Sequence, residues 1–102
     1  MSAIKLNKSG LDSLIKGEKP ILLDFFADWC GPCRMVSPVI DEIARERGDI
    51  AVGKINIESE LDLAREYGVY SIPTLVVIRD GRVVNKAVGA RSKAQILSML
   101  AV

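Results

Sequence analysis

The chain has 102 residues, with 14 Lys plus Arg against 13 Asp plus Glu for a net charge of +1, two Cys and no His. Without an imidazole there is no Ser-His-Asp or Cys-His relay and no His-ligated zinc or haem. Two cysteines cannot alone fill a four-thiolate zinc site, and they allow a single disulfide pairing. A charge balance this close to zero gives no electrostatic reason to expect nucleic acid or an anionic membrane as a partner.

About a hundred residues, 49% hydrophobic and 26% charged, suit one ordinary globular domain spanning 1–102. No apolar run approaches the roughly 20 residues of a membrane span. The start, Met1 to Leu6, lacks the pattern of a secretory signal. The expected compartment is therefore the cytoplasm, where thiols are kept reduced and a purely structural disulfide is not expected.

In chain order, Ala3–Leu6 reads as an edge strand. Asn7 or Ser9 can cap a short helix with Leu11, Leu14 and Ile15 at helical spacing. After Lys19 and Pro20, Ile21–Ala27 reads as a strand that is apolar on both faces except for Asp24. Such a strand belongs in the middle of a sheet covered on both sides by helices. From Cys30 to about Arg47 the residues Met35, Val36, Val39, Ile40, Ile43 and Ala44 form a helical stripe. Ser37 and Pro38 could open a new helix there, but the stripe keeps phase across them, which favours one long helix kinked at Pro38. Ile50–Ile57 is the next strand. Ser59 with Asp62 can cap a helix running through Tyr67 to Gly68. Thr74–Ile78 and Arg82–Val88 flank Asp80 and Gly81, a hairpin signal. Ser92 with Gln95 forms a capping box for a last helix whose inner face carries Ile96, Leu97 and Leu100. The order β-α-β-α-β-α-β-β-α predicts an α/β fold. Its central sheet should be mixed, mostly parallel with an antiparallel hairpin, and flanked by helices on both faces.

One constellation carries chemistry that can be argued through: Trp29, Cys30, Gly31, Pro32 and Cys33, at the junction of the central strand and the long helix. The peptide N–H groups and dipole of a helix N-terminus stabilise a thiolate at Cys30 and make it available near neutral pH. Cys33 lies one turn further on, close enough to attack a mixed disulfide formed at Cys30. As a mere staple the pair would close four residues and remove only about 2 kcal/mol of unfolded-state entropy. As half of a zinc site it would need two more ligands, and nothing here is spaced to supply them. A reversible dithiol/disulfide is the stronger reading.

Asp24 is the second residue of interest. Burial in an apolar strand would raise its pKa and fit it to take the Cys33 proton through water. Alternatively it points into solvent at a strand end, or Lys54 on the neighbouring strand neutralises it. Gly48 to Lys54 matches the first seven positions of a phosphate-binding loop, but Ile55 stands where Ser or Thr is needed and a strand follows instead of a helix. Arg34 reads most simply as a solvated helix residue; the other reading is a cation that helps to hold Cys30 ionised.

The run from Asp24 to Cys33, with Ser71, Ile72, Pro73, Thr74, Gly81 and Gly89, resembles the thioredoxin family over essentially the whole chain. Phe26 departs from the family's usual Trp or Tyr, and the segment from Ile57 to Glu60 lacks a Pro often found there. The resemblance implies the thioredoxin fold and a protein-disulfide reductase whose catalytic set is Cys30, Cys33, Asp24 and Lys54. It also implies a cis bond before Pro73, against the base rate of about 5–6%, and a backbone at Ile72 open to a substrate strand. Trp29, Gly31, Pro32, Ile57, Ile72, Pro73, Val88 and Gly89 would then form a flat apolar substrate-binding surface around Cys30. Further implications are no bound cofactor and no metal, disulfide-containing target proteins as substrates, and thioredoxin reductase as electron donor. A monomer working in electron transport and cell redox homeostasis completes the expectation. Two other readings stay open: a disulfide oxidase or isomerase of the same fold, and a binding subunit of a larger assembly in which redox activity is incidental.

Overall fold

The computed structural model describes residues 3–101. Along the chain they form β1 (Ile4–Lys5), α1 (Lys8–Lys16), β2 (Ile21–Phe26), α2 (Gly31–Glu46), β3 (Ala51–Asn56), α3 (Leu61–Glu66), β4 (Thr74–Arg79), β5 (Arg82–Val88) and α4 (Lys93–Leu100). The strands join in the order β1-β3-β2-β4-β5, which puts β2 in the centre.

Alternation along the strands divides the core into two layers. Leu22, Val52, Leu75 and Val77 face Val36, Ile40 and Ile43 of α2 and Ile96, Met99 and Leu100 of α4. Ile21, Leu23, Phe25, Ile55, Val76 and Ile78 face the other way, against Leu11 of α1 and Leu63 of α3. Asp24 is in phase with Leu22 and therefore points to the α2 side. Both faces of β2 are sealed, as its nearly unbroken apolar run demands.

The sheet is mixed, but its pairings are evenly divided where the sequence predicts a mostly parallel arrangement. β3 runs parallel to both β1 and β2, whereas β4 is antiparallel to β2 as well as to β5. The reason lies in α3. Its six residues rise only about 9 Å, against roughly 20 Å for a six-residue strand. The chain is thus not carried back across the sheet, and it re-enters beside β2 from the end where β3 left.

Local signals account for most of the boundaries. Asn7 is the cap of α1, accepting from the Gly10 N–H. Ser92 and Gln95 complete the capping box of α4. Asp80 (φ 52°) and Gly81 (φ 75°) both take the left-handed backbone that a two-residue hairpin loop requires. α2 is continuous through Pro38. Two expectations fail. Ser59 does not cap α3, whose N-cap is Glu60 with no side-chain bond. Met35 is not in the buried stripe but 74% exposed. The stripe is in phase with Cys33, Val36, Ile40 and Ile43, and a residue two past Cys33 is rotated about 200° from it. Lys93 fastens α4 to α2 through Glu42 (2.9 Å) and Glu46 (2.8 Å). Among the described residues no helix is long and apolar enough to cross a membrane.

Gly53 shows how closely the edge is packed. A Cβ there would fall onto Cδ1 of the buried Leu6 and within 2.9 Å of its Cγ. Gly53→Ala is expected to cost about 1–3 kcal/mol as β1 is pushed off β3. A lowered urea midpoint with an unchanged slope is the measurement that checks it.

Candidate active site

β2 ends at Phe26 and α2 starts at Gly31. The intervening turn leaves Cys30 as the N-cap of α2, in extended backbone (φ −86°, ψ 112°) with Pro32 in the helix's first turn. Pro is tolerated there because its missing N–H would have had no partner in the helix. The Cys33 N–H donates to Cys30 Sγ at 3.2 Å, so a backbone donor and the positive end of the helix dipole converge on that sulfur. Cys30 and Cys33 form a disulfide with a Cα–Cα distance of 5.3 Å. Both are nearly buried, in a small cluster with Ala27 against which Phe26, Ile57 and Ile72 pack. Arg34 turns away from the sulfurs: its Nε (3.2 Å) and Nη2 (2.9 Å) donate to the Asp28 carbonyl and secure the turn.

A second segment closes on the same point. The Ile72–Pro73 bond is cis, and the Ile72 carbonyl oxygen lies 3.8 Å from Cys30 Sγ. The Gly89 N–H donates to the Pro73 carbonyl at 2.8 Å, and Thr74 pairs with Val88. Val88 and Gly89 thereby stand next to the Ile72–Pro73 loop. Of the residues expected in an apolar face, Trp29 (65% exposed), Gly31, Pro32 and Val88 are open to solvent. Ile57, Ile72 and Gly89 are half-buried, and Pro73 is buried beneath them. Being buried, Pro73 is not part of an exposed face. Met35 and Tyr70 (92% exposed) are additional bare apolar side chains at this end. Helical phase would have flagged Met35, and Tyr70 had only its place two residues before Ile72 as a signal.

Asp24 and Lys54 sit side by side in the β2–β3 register. Asp24 is 1% exposed, and its Oδ1 has no hydrogen-bond partner among the described residues. Lys54 does not pair with it. The ammonium donates instead to Ser37 Oγ at 2.6 Å and to Asp41 Oδ1 at 3.0 Å, both on α2. Ser37 also lines a cleft of about 180 Å3 with Phe26, Ala27, Asp28, Cys33 and Arg34. Ser37 and Asp41 are not among the expected site residues, although Cys33, Ser37 and Asp41 follow one another at four-residue steps along one line of α2. The Gly48–Lys54 segment runs into β3 and forms no loop-to-helix anion site.

Residues 2–102 match the family model described as thioredoxin. A thioredoxin from Mycobacterium tuberculosis is 47% identical over 88 residues, covering 85% of this chain and 76% of that protein. The chain belongs to the thioredoxin family. A bifunctional thioredoxin reductase/thioredoxin from Mycobacterium leprae is 45% identical over 85 residues, which are 82% of this chain and 19% of that longer protein. A solved structure of a mutant thioredoxin from Halobacterium salinarum superposes with a TM-score of 0.87 at 38% identity, over 94% of this chain and 84% of that one. This chain is accordingly a dithiol/disulfide oxidoreductase, a protein-disulfide reductase with a redox-active Cys30–Cys33 pair.

Within this thioredoxin fold Asp24 carries an electrostatic cost. Burial is the main cause that pushes its pKa from 3.8 up to about 6; the Asp41 charge adds to the rise and the Lys54 charge opposes it. A carboxyl that holds its proton more tightly when folded destabilises the native state once both states are ionised. Stability should therefore fall as pH rises from about 4 to about 6 and then level off. Asp24→Asn removes the cost and is expected to raise the stability of the oxidised protein at pH 7 by about 3 kcal/mol. The gain should vanish below about pH 4, and denaturant titrations at the two pH values check both statements.

Proposed function

We propose that Cys30 is the attacking thiol, Cys33 the resolving thiol and Asp24 the proton acceptor, with residues 1–102 working as one domain and as a monomer. Cys30 thiolate attacks one sulfur of a target protein's disulfide. The target's S–S bond breaks, one target thiolate leaves, and a Cys30–target mixed disulfide remains. The Cys33 thiol then gives its proton to Asp24 through water, and its sulfur attacks Cys30 Sγ. The second target sulfur leaves as a thiolate. Two electrons have passed from the dithiol to the target, and Cys30–Cys33 is a disulfide. The observation that carries this assignment is the Cys33 N–H donated to Cys30 Sγ at the helix N-terminus, because it favours the thiolate at Cys30 over that at Cys33.

Trp29, Gly31, Pro32, Ile57, Ile72, Val88 and Gly89 would receive the target around the reacting sulfur, with Pro73 supporting the loop and the Ile72 backbone pairing with an extended target strand. Lys54 belongs to the set through its charge beside Asp24. Regeneration needs an external two-electron donor. The fusion of a reductase to a thioredoxin in the Mycobacterium leprae relative supports a thioredoxin reductase in that role. A disulfide that must be re-reduced after each turnover suits a compartment holding a reduced donor pool, so the cytoplasm is the proposed location, and electron transport and redox homeostasis the proposed setting.

Cys30→Ser is expected to abolish reduction of a disulfide-bonded test protein. Cys33→Ser should accumulate the mixed disulfide through Cys30, visible as a covalent adduct by non-reducing mass spectrometry. Adducts forming with Cys30→Ser and not with Cys33→Ser would exchange the two roles. A reduction potential on the oxidising side of the cytosolic glutathione poise would replace the reductase by a disulfide-forming enzyme.

A further inference from the structure

Asp24 and Lys54 occupy paired positions on adjacent strands and project to the same face, an arrangement in which opposite charges ordinarily join. They are kept apart by α2. Lys54 is drawn to two groups one helical turn apart, the Ser37 hydroxyl and the Asp41 carboxylate, and the Asp24 carboxyl is left in the core with an unpartnered oxygen. Ser37 faces two ways, since it also lines the cleft that reaches Cys33.

We infer that Ser37 and Asp41 are positioning residues for the resolving step: they hold the Lys54 ammonium against α2 and so keep Asp24 without a counter-ion of its own, free to accept a proton. The inference rests on the reading of Asp24 as proton acceptor. An acid paired directly with Lys54 would be a weaker base and would stay ionised to lower pH. Ser37 and Asp41 thus set the basicity of a group that neither of them touches.

The charged surroundings of Asp24 are few. β3 contributes Lys54, and α2 contributes Asp41 and, once reduced, the Cys33 thiol. β4 presents Leu75 and Val77 on this face, with Arg79 at the far end of the strand donating to the Leu100 carbonyl. α4 presents Ile96, Met99 and Leu100, and its Lys93 is taken up by Glu42 and Glu46. β5 contributes Ala87 beside Leu75. Freed from α2, the Lys54 ammonium is left beside Asp24, its cross-strand partner on the same face.

The test follows the Asp24 carboxyl carbon by NMR titration in the oxidised protein, beside the pH profile of the resolving step in single turnovers. Asp41→Asn removes a like charge and releases Lys54, so it should move the Asp24 midpoint down by about one pH unit, and the pH profile with it. Ser37→Ala should move both in the same direction by less, and Ser37→Thr should restore them. Lys54→Met should move the midpoint up. Lys93→Met, which breaks a surface clamp between α2 and α4, should leave it in place. Ser37→Ala and Asp41→Asn are both compatible with a helix, one by raising helix propensity and the other by keeping shape at a half-exposed site.

An unmoved or raised midpoint in Asp41→Asn and Ser37→Ala would overturn the inference, as would an equal shift in Lys93→Met. If Asp24→Asn leaves the resolving step as fast as before, the acceptor reading itself fails. If Asp24→Asn slows that step while the Asp41 and Ser37 variants leave the midpoint alone, only the inference falls.

Discussion

The N-terminus of α2 is aimed at one sulfur because β2 stops at Phe26 and only four residues separate it from Gly31. Cys30 has to serve as the cap, and its sulfur takes the place that a Ser or Asp oxygen takes at other helix starts. The Cys33 N–H that a capping hydroxyl would satisfy is donated to Cys30 Sγ instead. Much of the reactive end is arranged around that substitution. Arg34 reaches back to hold the Asp28 carbonyl, the Ile72–Pro73 loop closes over the sulfur, and Gly89 ties the loop to the sheet.

β2 can hold the junction still because it is paired on both sides and covered on both faces. The same burial makes Asp24 expensive. A neutral or apolar residue would pack there at lower cost, and the strand's other residues show what the site prefers. A carboxyl at the centre of such a strand costs folding stability, as strained groups at functional sites usually do, and this cost accords with the proposed role of Asp24 in proton transfer.

What the sequence made legible was local. The hairpin at Asp80 and Gly81, the capping box at Ser92 and Gln95, and Cys30 at a strand-to-helix junction each depend on residues within a few positions of one another, so spacing alone reveals them. The direction of β4 was not legible, because it depends on the length of α3 relative to the strands. Met35 is apolar and adjoins the stripe in sequence, but its helical phase turns it to solvent. The partners of Lys54 were hidden for another reason. Ser37 and Asp41 meet it across 17 and 13 positions of sequence, and Ser37 beside Pro38 reads as a capping residue until the helix is seen to continue through it. Burial raised Asp24 to notice from sequence, but only three dimensions show that its cross-strand lysine is engaged elsewhere.

A chain without histidine lacks the side chain whose ordinary pKa, about 6.5, suits proton transfer at neutral pH. An exposed carboxyl is too weak a base, since near neutrality it is ionised but holds a proton poorly. Burial changes this. With its pKa pushed up to about 6, Asp24 comes close to an imidazole in basicity, and it does so without the positive charge an imidazolium would bring beside a thiolate. That difference has a consequence at the sulfurs. In the proposed mechanism an imidazolium in contact with Cys33 would stabilise its thiolate early and compete with the helix N-terminus for the role of attacking group, whereas a carboxyl reached through water takes the Cys33 proton only as the resolving step proceeds. With backbone N–H groups favouring the Cys30 thiolate and a buried acid taking the Cys33 proton, the proposed mechanism keeps the two thiols chemically distinct, although they are only three residues apart.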